Sequence, residues 1–226
     1  MLKKIVVFVG LAALVAACSS EPTLQTGADA EMVGNLAKVD HSRTDLAYLD
    51  PEADFGKYTK VMVTPLGLDK VEIIQPSRTS ARRTIDDWEL TDGDRQALEE
   101  AFHEAMVKQL QEKGTFPLVT EPGHEVLQIS AAITSIAPTA AKDADMQAGR
   151  SYTYTESSGS MSIFVAFADS DNGEVLGIIK DTRTLGGQTW GRNNSVSNMA
   201  EVRRAFNSWA AQIQSGLEKL QQGTAE

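Results

Sequence analysis

The residue best placed to do chemistry in this chain is Cys18, because it is the only cysteine in 226 residues and it follows an apolar leader. Lys3 and Lys4 give the leader a positively charged start, and a charge-free run of 13 residues, Ile5 to Ala17, follows them. A membrane-spanning helix needs about 20 apolar residues, so this run is too short to cross a bilayer. Its length and its small final residues are typical of a secretory signal peptide.

The residues beside Cys18 favour lipid attachment. Val15-Ala16-Ala17-Cys18 resembles the bacterial lipobox, in which the cysteine thiol is acylated and the bond before it is cut. Stable anchoring takes two acyl chains or more, at roughly 0.8 kcal/mol per buried methylene. We therefore predict cleavage between Ala17 and Cys18 and membrane anchoring through a lipid on Cys18. The alternative is that Cys18 remains an unmodified residue of the leader.

The two residues after the cysteine indicate which of the two bacterial membranes holds the protein. In the common sorting rule for bacterial lipoproteins, an aspartate at this point retains the protein in the inner membrane. Ser19 and Ser20 occupy it here, so we predict a lipid anchor in the outer membrane, with the rest of the chain facing the periplasm.

Composition narrows the possible partners. Without residues 1–17 the chain has 19 basic and 31 acidic residues, a formal net charge of −12. Nucleic-acid binding depends on Lys and Arg that neutralise phosphates, so we predict no nucleic-acid partner. The acidic balance also argues against adsorption on anionic lipid through a general basic surface. A single cysteine leaves no internal disulfide, so packing alone must stabilise the domain.

The chain divides into three predicted parts: a signal peptide over 1–17, a lipidated flexible tether over 18–45, and a periplasmic domain over 46–222. The tether is predicted because residues 19–50 lack a sustained apolar period, and a coil of about 30 residues spans roughly 30 Å. No internal repeat is present.

Alternating and helical patterns define the elements of the domain. Strands are predicted around Val61–Val63, Val71–Ile74 and Val126–Ile136, and Asn172-Gly173 predicts a hairpin between two further strands. One helix is predicted to start at Thr91 and stop at Gly114, and a final helix carries apolar residues from Val202 to Leu220. The first strand-helix-strand unit predicts parallel strands. Together they predict an α/β (α+β) fold: a single two-layer domain whose mixed, four- to five-stranded sheet carries two helices on one face.

Several strings in this order resemble the bacterial lipoprotein family catalogued as domain of unknown function 3313 (DUF3313). The strings are Asp54–Tyr58 leading into Val61–Val63, Glu121–Gly123 leading into Val126-Leu127, Ala131–Thr134 with Pro138, Asp171–Leu176, and Ala205–Ala210 around Trp209. The likeness covers roughly residues 45–220. It implies an envelope lipoprotein with no known activity and no known catalytic residues.

Three arginines stand out in this acidic chain: Arg78, Arg82 and Arg83, in a polar stretch that also holds Trp88. A guanidinium can grip carboxylate or phosphate oxygens bidentately. The three are therefore a candidate contact for an anionic envelope component, such as a lipid headgroup, lipopolysaccharide or peptidoglycan. The alternative is pairing with nearby acids on a solvated loop, where each pair contributes little.

Aromatic residues in polar loops form a second candidate surface: Tyr152, Tyr154 and Trp190. Tyrosine and tryptophan are enriched at protein interfaces. The alternative is that these rings pack over the edge of the sheet.

No catalytic or metal-binding motif is complete. His103-Glu104 lies on a predicted helix, but residue 107 is valine, so the His-Glu-x-x-His zinc motif fails. The Asp169–Glu174 stretch has its glycine one position early for a calcium loop and is interpreted as a hairpin turn. No Gly-x-Ser-x-Gly elbow is present. We predict no cofactor, no metal and no catalytic residue.

The leading hypothesis is a non-catalytic outer-membrane lipoprotein whose periplasmic domain binds or scaffolds an envelope protein, lipid or glycan. One alternative is an enzyme that acts on envelope lipid or glycan. Another is a subunit of an envelope assembly or stress-response complex. The oligomeric state stays open.

Overall fold

A computed structural model describes residues 21–76, 88–139, 154–155, 159–186, 191–192 and 195–223. Within these residues, nine strands form one open sheet and two helices pack with it. The α+β class predicted from the sequence is confirmed. The predicted count of four to five strands is wrong, because four short N-terminal strands extend the sheet beyond the five predicted ones.

The sheet strands vary from two to thirteen residues. They are β1 (Thr23–Leu24), β2 (Met32–Val33), β3 (Leu36–Asp40), β4 (Leu46–Leu49), β5 (Lys60–Val63), β6 (Glu72–Ile73), β7 (Val126–Pro138), β9 (Gly159–Asp169) and β10 (Val175–Leu185). Their order across the sheet is β1-β3-β4-β10-β9-β7-β5, with β2 beside β3 and β6 beside β7. A separate pair joins β8 (Tyr154–Thr155) to β11 (Gly191–Arg192).

The pairing of the central strands agrees with the sequence patterns. β5 and β7 are parallel, as predicted for a strand-helix-strand unit. β9 and β10 form the predicted antiparallel hairpin. Its turn is closed by Gly173, whose φ of 75° lies in the left-handed region that favours glycine.

The first helix, α1 (Asp92–Met106), begins where its capping residues place it. The Thr91 hydroxyl accepts from the Asp94 backbone N–H, and the Asp94 carboxylate accepts from the Thr91 N–H, which completes the predicted capping box. The helix continues as a π-helical segment, Val107–Lys113. At Gly114, a Cβ would lie 2.7 Å from the Leu110 carbonyl oxygen, so only glycine fits this close approach.

The second helix, α2 (Ser195–Gly223), is 29 residues long. In the part of the chain that the structure describes, no helix is both long and apolar enough to span a bilayer.

The core lies between the helices and one face of the sheet. Its central members are fully buried inward side chains of β7 and β9 and the apolar stripes of both helices, which form one cluster. The Phe206 ring lies edge-on to Phe102 at 5.6 Å and 6.0 Å from Trp209, so aromatic packing joins α1 to α2.

The N-terminal region differs most from the prediction. Residues 18–45 are predicted as a flexible tether, but their described part, from residue 21, carries β1, β2 and β3. β3 pairs with β4, and β4 pairs with the edge of β10, so this segment extends the main sheet. The pattern is hard to find in the sequence because two of these strands are only two residues long.

Candidate functional site

Most of the side chains predicted as sites lie outside the described residues. These are Ala17, Cys18, Arg78, Arg82, Arg83, Tyr152 and Trp190. Tyr154 is described in its backbone alone, in β8, where it pairs with Arg192 of β11. The lipid site, the arginine contact and the aromatic surface therefore stay predictions, and the described residues supply three further polar arrangements.

The first arrangement is the N-terminal arm, residues 21–33, which lies along β3. The Gln25 amide nitrogen donates to both carboxylate oxygens of Asp40, at 2.9 and 3.0 Å, and its oxygen accepts from the Glu31 backbone N–H at 2.7 Å. The Gln25 and Lys38 backbones are joined as well. One side chain thus fastens both ends of the loop between β1 and β2, which gives the arm a defined path.

A second contact fixes the arm to the sheet. The Glu31 carboxylate accepts from the Lys38 ammonium at 2.7 Å and from the Tyr48 hydroxyl at 2.6 Å. Both hydrogen bonds lower the pKa of Glu31, the one from Lys38 more than the one from Tyr48. The hydrogen bond to Glu31 in turn raises the pKa of Lys38. The arm is therefore held by a charged network across β3 and β4.

The second arrangement, the sheet-end cluster, consists of Lys57, Tyr58 and Asp169. Lys57 closes a short 3-10 helix, Phe55–Lys57, and Asp169 is the last residue of β9. The Asp169 carboxylate, 5% exposed as a residue, accepts from the Lys57 ammonium at 2.9 Å and the Tyr58 hydroxyl at 2.8 Å. The ammonium also lies 4.8 Å from the centre of the Tyr58 ring.

Ionisation in the sheet-end cluster follows from these contacts. Burial alone would raise the pKa of Asp169, but the hydrogen bonds from Lys57, the Asp171 backbone N–H and Tyr58 lower it to about 2. Burial raises the pKa of Tyr58 to about 12. The bond to Asp169 raises the pKa of Lys57 well above its ordinary value. These pKa directions favour a carboxylate at Asp169, an ammonium at Lys57 and a neutral phenol at Tyr58 at neutral pH.

The third arrangement, the helix-docking cluster, consists of Asp181, Arg183 and Trp209. One Asp181 oxygen accepts from the Trp209 indole N–H at 2.6 Å and from the Arg183 Nε–H at 3.0 Å, and the other accepts from the Asp45 backbone N–H at 3.2 Å. Arg183 also donates to Gln212 on α2 and lies over the Trp209 ring, 5.3 Å from its centre. The cluster binds α2 to β10 through polar groups within the core layer.

A periodic signal in the sequence could have revealed both aspartates. Asp169 follows Val165 and Phe167 at intervals of two, and Asp181 follows Ile179 in the same way, so both acids lie on the inward face of a strand. A carboxylate on an inward face needs a partner. The identity of the partners could not be found this way, because Lys57 is 112 residues from Asp169.

An open depression of about 660 Å³ lies beside the sheet-end cluster, lined by Lys60 and residues 118–126. Among the lining residues, His124 has its Nδ1 2.9 Å from an Asp171 carboxylate oxygen, but the two side chains are 91% and 51% exposed. Acid-base chemistry requires groups that converge on a space shielded from water. An exposed pair of this kind does not meet that requirement.

Comparison with known proteins assigns this chain to an uncharacterised group. A family model described as "Protein of unknown function (DUF3313)" matches residues 33–213. A search of curated proteins found no match.

Solved structures show distant likenesses. A PelC dodecamer from Paraburkholderia phytofirmans is 11% identical, with a TM-score of 0.37, over 70% of this chain and 90% of that one. Protein XCC0632 from Xanthomonas campestris is 11% identical, with a TM-score of 0.41, over 75% of this chain and 89% of that one. A candidate lipoprotein from Caulobacter crescentus CB15 is 11% identical, with a TM-score of 0.27, over 69% and 91%. At these TM-scores the likenesses carry no functional conclusion.

Proposed function

Since the chain belongs to the DUF3313 family, whose function is not established, we propose from its own residues that it is a lipid-anchored, non-catalytic binding or scaffolding module of the bacterial outer membrane, facing the periplasm. The observation that carries the proposal is the N-terminal arm. β1 begins five residues after Cys18, and Gln25 and Glu31 fasten the arm to β3. A lipid on Cys18 would hold a folded domain at the membrane surface.

The polar arrangements of the described residues support a non-catalytic role. The Asp169 and Asp181 carboxylates are each saturated by a cation and an aromatic donor of the same chain. A catalytic acid or base needs a proton that it can exchange with substrate. Carboxylates whose partners lie within the same chain stabilise the fold, so we expect other molecules to be bound by surface residues instead.

The anchor is tested by labelling cells with palmitate. We expect the wild-type chain to carry the label and Cys18→Ser to lose it, because serine offers no thiol for the thioether. Ser19→Ala is the matched control, since it changes the neighbouring residue and keeps the lipobox. An unlabelled wild-type chain, or a labelled Cys18→Ser variant, contradicts the anchor.

The choice of membrane is tested separately. We expect Ser19→Asp to move the protein from outer-membrane to inner-membrane fractions on density separation, with Ser19→Ala again as the control. If the wild-type chain already fractionates with the inner membrane, the outer-membrane assignment fails while the lipid anchor stands.

The binding role is tested by crosslinking in cells followed by mass spectrometry of the captured partners. Alanine at Arg78, Arg82 and Arg83 is expected to weaken capture of an anionic envelope component without lowering the melting temperature. Alanine at Arg43, Arg203 and Arg204, which are exposed, removes the same charge elsewhere and serves as the control. An unchanged partner list in the first variant rules out the arginine contact.

A further inference from the structure

The edge of the sheet formed by β1 and β2 carries an exposed apolar pair, Met32 and Val33, whose strand is paired with β3 on one side. Five large apolar side chains are exposed in the described part of the chain, and of these only Met32 and Val33, 47% and 49% exposed, are adjacent in sequence. They form β2, which ends in a two-residue turn whose Gly34 has a φ of 63°. Successive residues of a strand point to opposite faces of the sheet, so the two side chains lie at the same sheet edge, one on each face, beside this turn.

The length of the chain before this edge limits what can cover it. Thr23 follows Cys18 by five positions, so an extended chain between them spans at most about 18 Å. Thr23 pairs with Asp40 and Met32 with Ala37 on the same strand, β3. Asp40 and Ala37 are three positions apart along this strand, which corresponds to about 10 Å. The distance from Thr23 to Met32 is therefore shorter than the distance that the chain between Cys18 and Thr23 can span, so a lipid on Cys18 can lie beside Met32 and Val33.

The opposite edge is much farther away. β5 lies six strand positions from β1, or about 29 Å at the usual spacing of strands. A lipid on Cys18 thus favours the β1–β2 edge over the β5 edge for contact with the leaflet.

The negative charge of Glu31, next to the apolar pair, is paired within the protein. Glu31 precedes Met32, and its carboxylate accepts from the Lys38 ammonium at 2.7 Å and from Tyr48 at 2.6 Å. An acid that is paired within the protein is less strongly repelled by lipid phosphates than a free one. The same contacts fasten Glu31, the residue before Met32, to β3 and β4.

We infer that Met32 and Val33 insert into the interface of the leaflet that holds the Cys18 lipid, so that the β1–β2 edge lies on the membrane and the domain has one fixed orientation. The inference rests on the proposed function, because it requires the lipid at Cys18. An apolar pair at the membrane interface adds to the anchoring by the acyl chains. It also fixes the orientation of the domain, which a lipid tether alone would leave free to rotate.

The test uses the full lipidated protein in phosphatidylcholine vesicles. Since Cys18 is the only cysteine and its thiol is consumed by the lipid, Val33→Cys places a single free thiol for an environment-sensitive fluorophore. Lys60→Cys on β5, an exposed residue of the opposite edge, is the matched control. Phe164→Cys, 36% exposed in β9, reports on the sheet. A quencher on the lipid chains then reads depth at each site.

We expect a blue-shifted emission and a strong loss of fluorescence at position 33, with little change at positions 60 and 164. If the protein floats with the vesicles but position 33 is not quenched, or position 60 or 164 is quenched instead, the orientation is wrong and the anchor stands. If the protein does not float, the anchor fails and the orientation fails with it. A wild-type protein that reacts with the fluorophore would also show that the Cys18 thiol is free.

Discussion

The sheet-end cluster and the helix-docking cluster are built from the same chemistry at two places in one hairpin. Each centres on a buried aspartate of that hairpin, Asp169 or Asp181, which accepts from an aromatic donor and a cation. In each, the cation also lies over the ring of the same aromatic residue. In both places, the same combination of an aromatic donor and a cation stabilises a carboxylate on the inward face of a strand.

The two clusters differ in exposure and in what they join. The Lys57 side chain is 47% exposed, whereas that of Arg183 is 19% exposed and also donates to Gln212. The sheet-end cluster ties the turn before β5 to the end of β9, while the helix-docking cluster ties α2 to β10. We therefore expect the helix-docking cluster to contribute more to stability, because water can replace an exposed partner but not a buried one.

The largest effect is expected from Trp209→Ala. It removes a ring that is 2% exposed and also leaves the Asp181 carboxylate without its indole donor. Replacing a buried Trp by Ala costs about 3–5 kcal/mol, which is measured as the free energy of unfolding in urea. Phe164→Ala, at a residue that is 36% exposed, is the control and should cost much less. Equal losses would contradict the central role given to the helix-docking cluster.

Tyr58→Phe isolates one hydrogen bond of the sheet-end cluster. The ring stays in place, but the buried Asp169 carboxylate loses the hydroxyl that donates to it at 2.8 Å. Hydrogen bonds to charged groups contribute about 1.5–3 kcal/mol, so a loss in this range is expected in urea unfolding. Tyr48→Phe makes the same change opposite the exposed Glu31 and should cost less. A Tyr58→Phe variant as stable as wild type would show that the hydroxyl is not needed.

The Asp169 carboxyl predicts a pH dependence in acid. Its pKa falls from 3.8 to about 2 on folding, so the stabilisation is fully present above pH 3.8 and is lost as pH falls through about 2. Unfolding free energies measured across this window should decline in the wild type and decline less in Asp169→Asn. Asp69→Asn, at an exposed residue, should keep the wild-type slope. Parallel curves for Asp169→Asn and wild type would contradict the assignment.

The smallest effect is expected from Lys57→Met. The Lys57 side chain is 47% exposed, and the Tyr58 hydroxyl and the Asp171 backbone N–H still donate to Asp169 without it, so the loss should be about 1 kcal/mol. Arg183→Met, the same change at the buried counterpart, should cost more, since it also breaks the contact with Gln212. Unfolding measurements that reverse this order would show that exposure does not set the contribution of the two cations.

Much of the central domain could be predicted from local patterns. The capping box at Thr91 and Asp94, the turn at Gly173 and the alternation in β7 depend on neighbouring residues, so sequence reasoning placed them correctly. The N-terminal strands were missed because β1 and β2 are two residues long. A signal for them exists: Gly34-Asn35 lies between Val33 and Leu36, which pair, as a two-residue hairpin loop would require.

The candidate sites were harder to predict than the fold. Cys18 could be singled out because a lipobox is a continuous string of residues. The partners of Asp169 and Asp181 could not, because they come from other elements. The path of the N-terminal arm could not be predicted either, since it depends on the hydrogen bond from the Gln25 side chain to Asp40 on β3.

Sequence patterns were enough to find the five central strands, the two amphipathic helices and the cap that starts α1, and to single out the one cysteine at the end of the leader. These features depend on periods of two and 3.6 residues and on contacts between near neighbours. Three features became visible only in the folded chain: residues 21–33 join the sheet, Lys57 pairs with Asp169 across 112 residues, and Trp209 donates to Asp181. Such pairs form because an inward carboxylate without a partner is costly, and the folded chain supplies partners from elements far apart in the sequence.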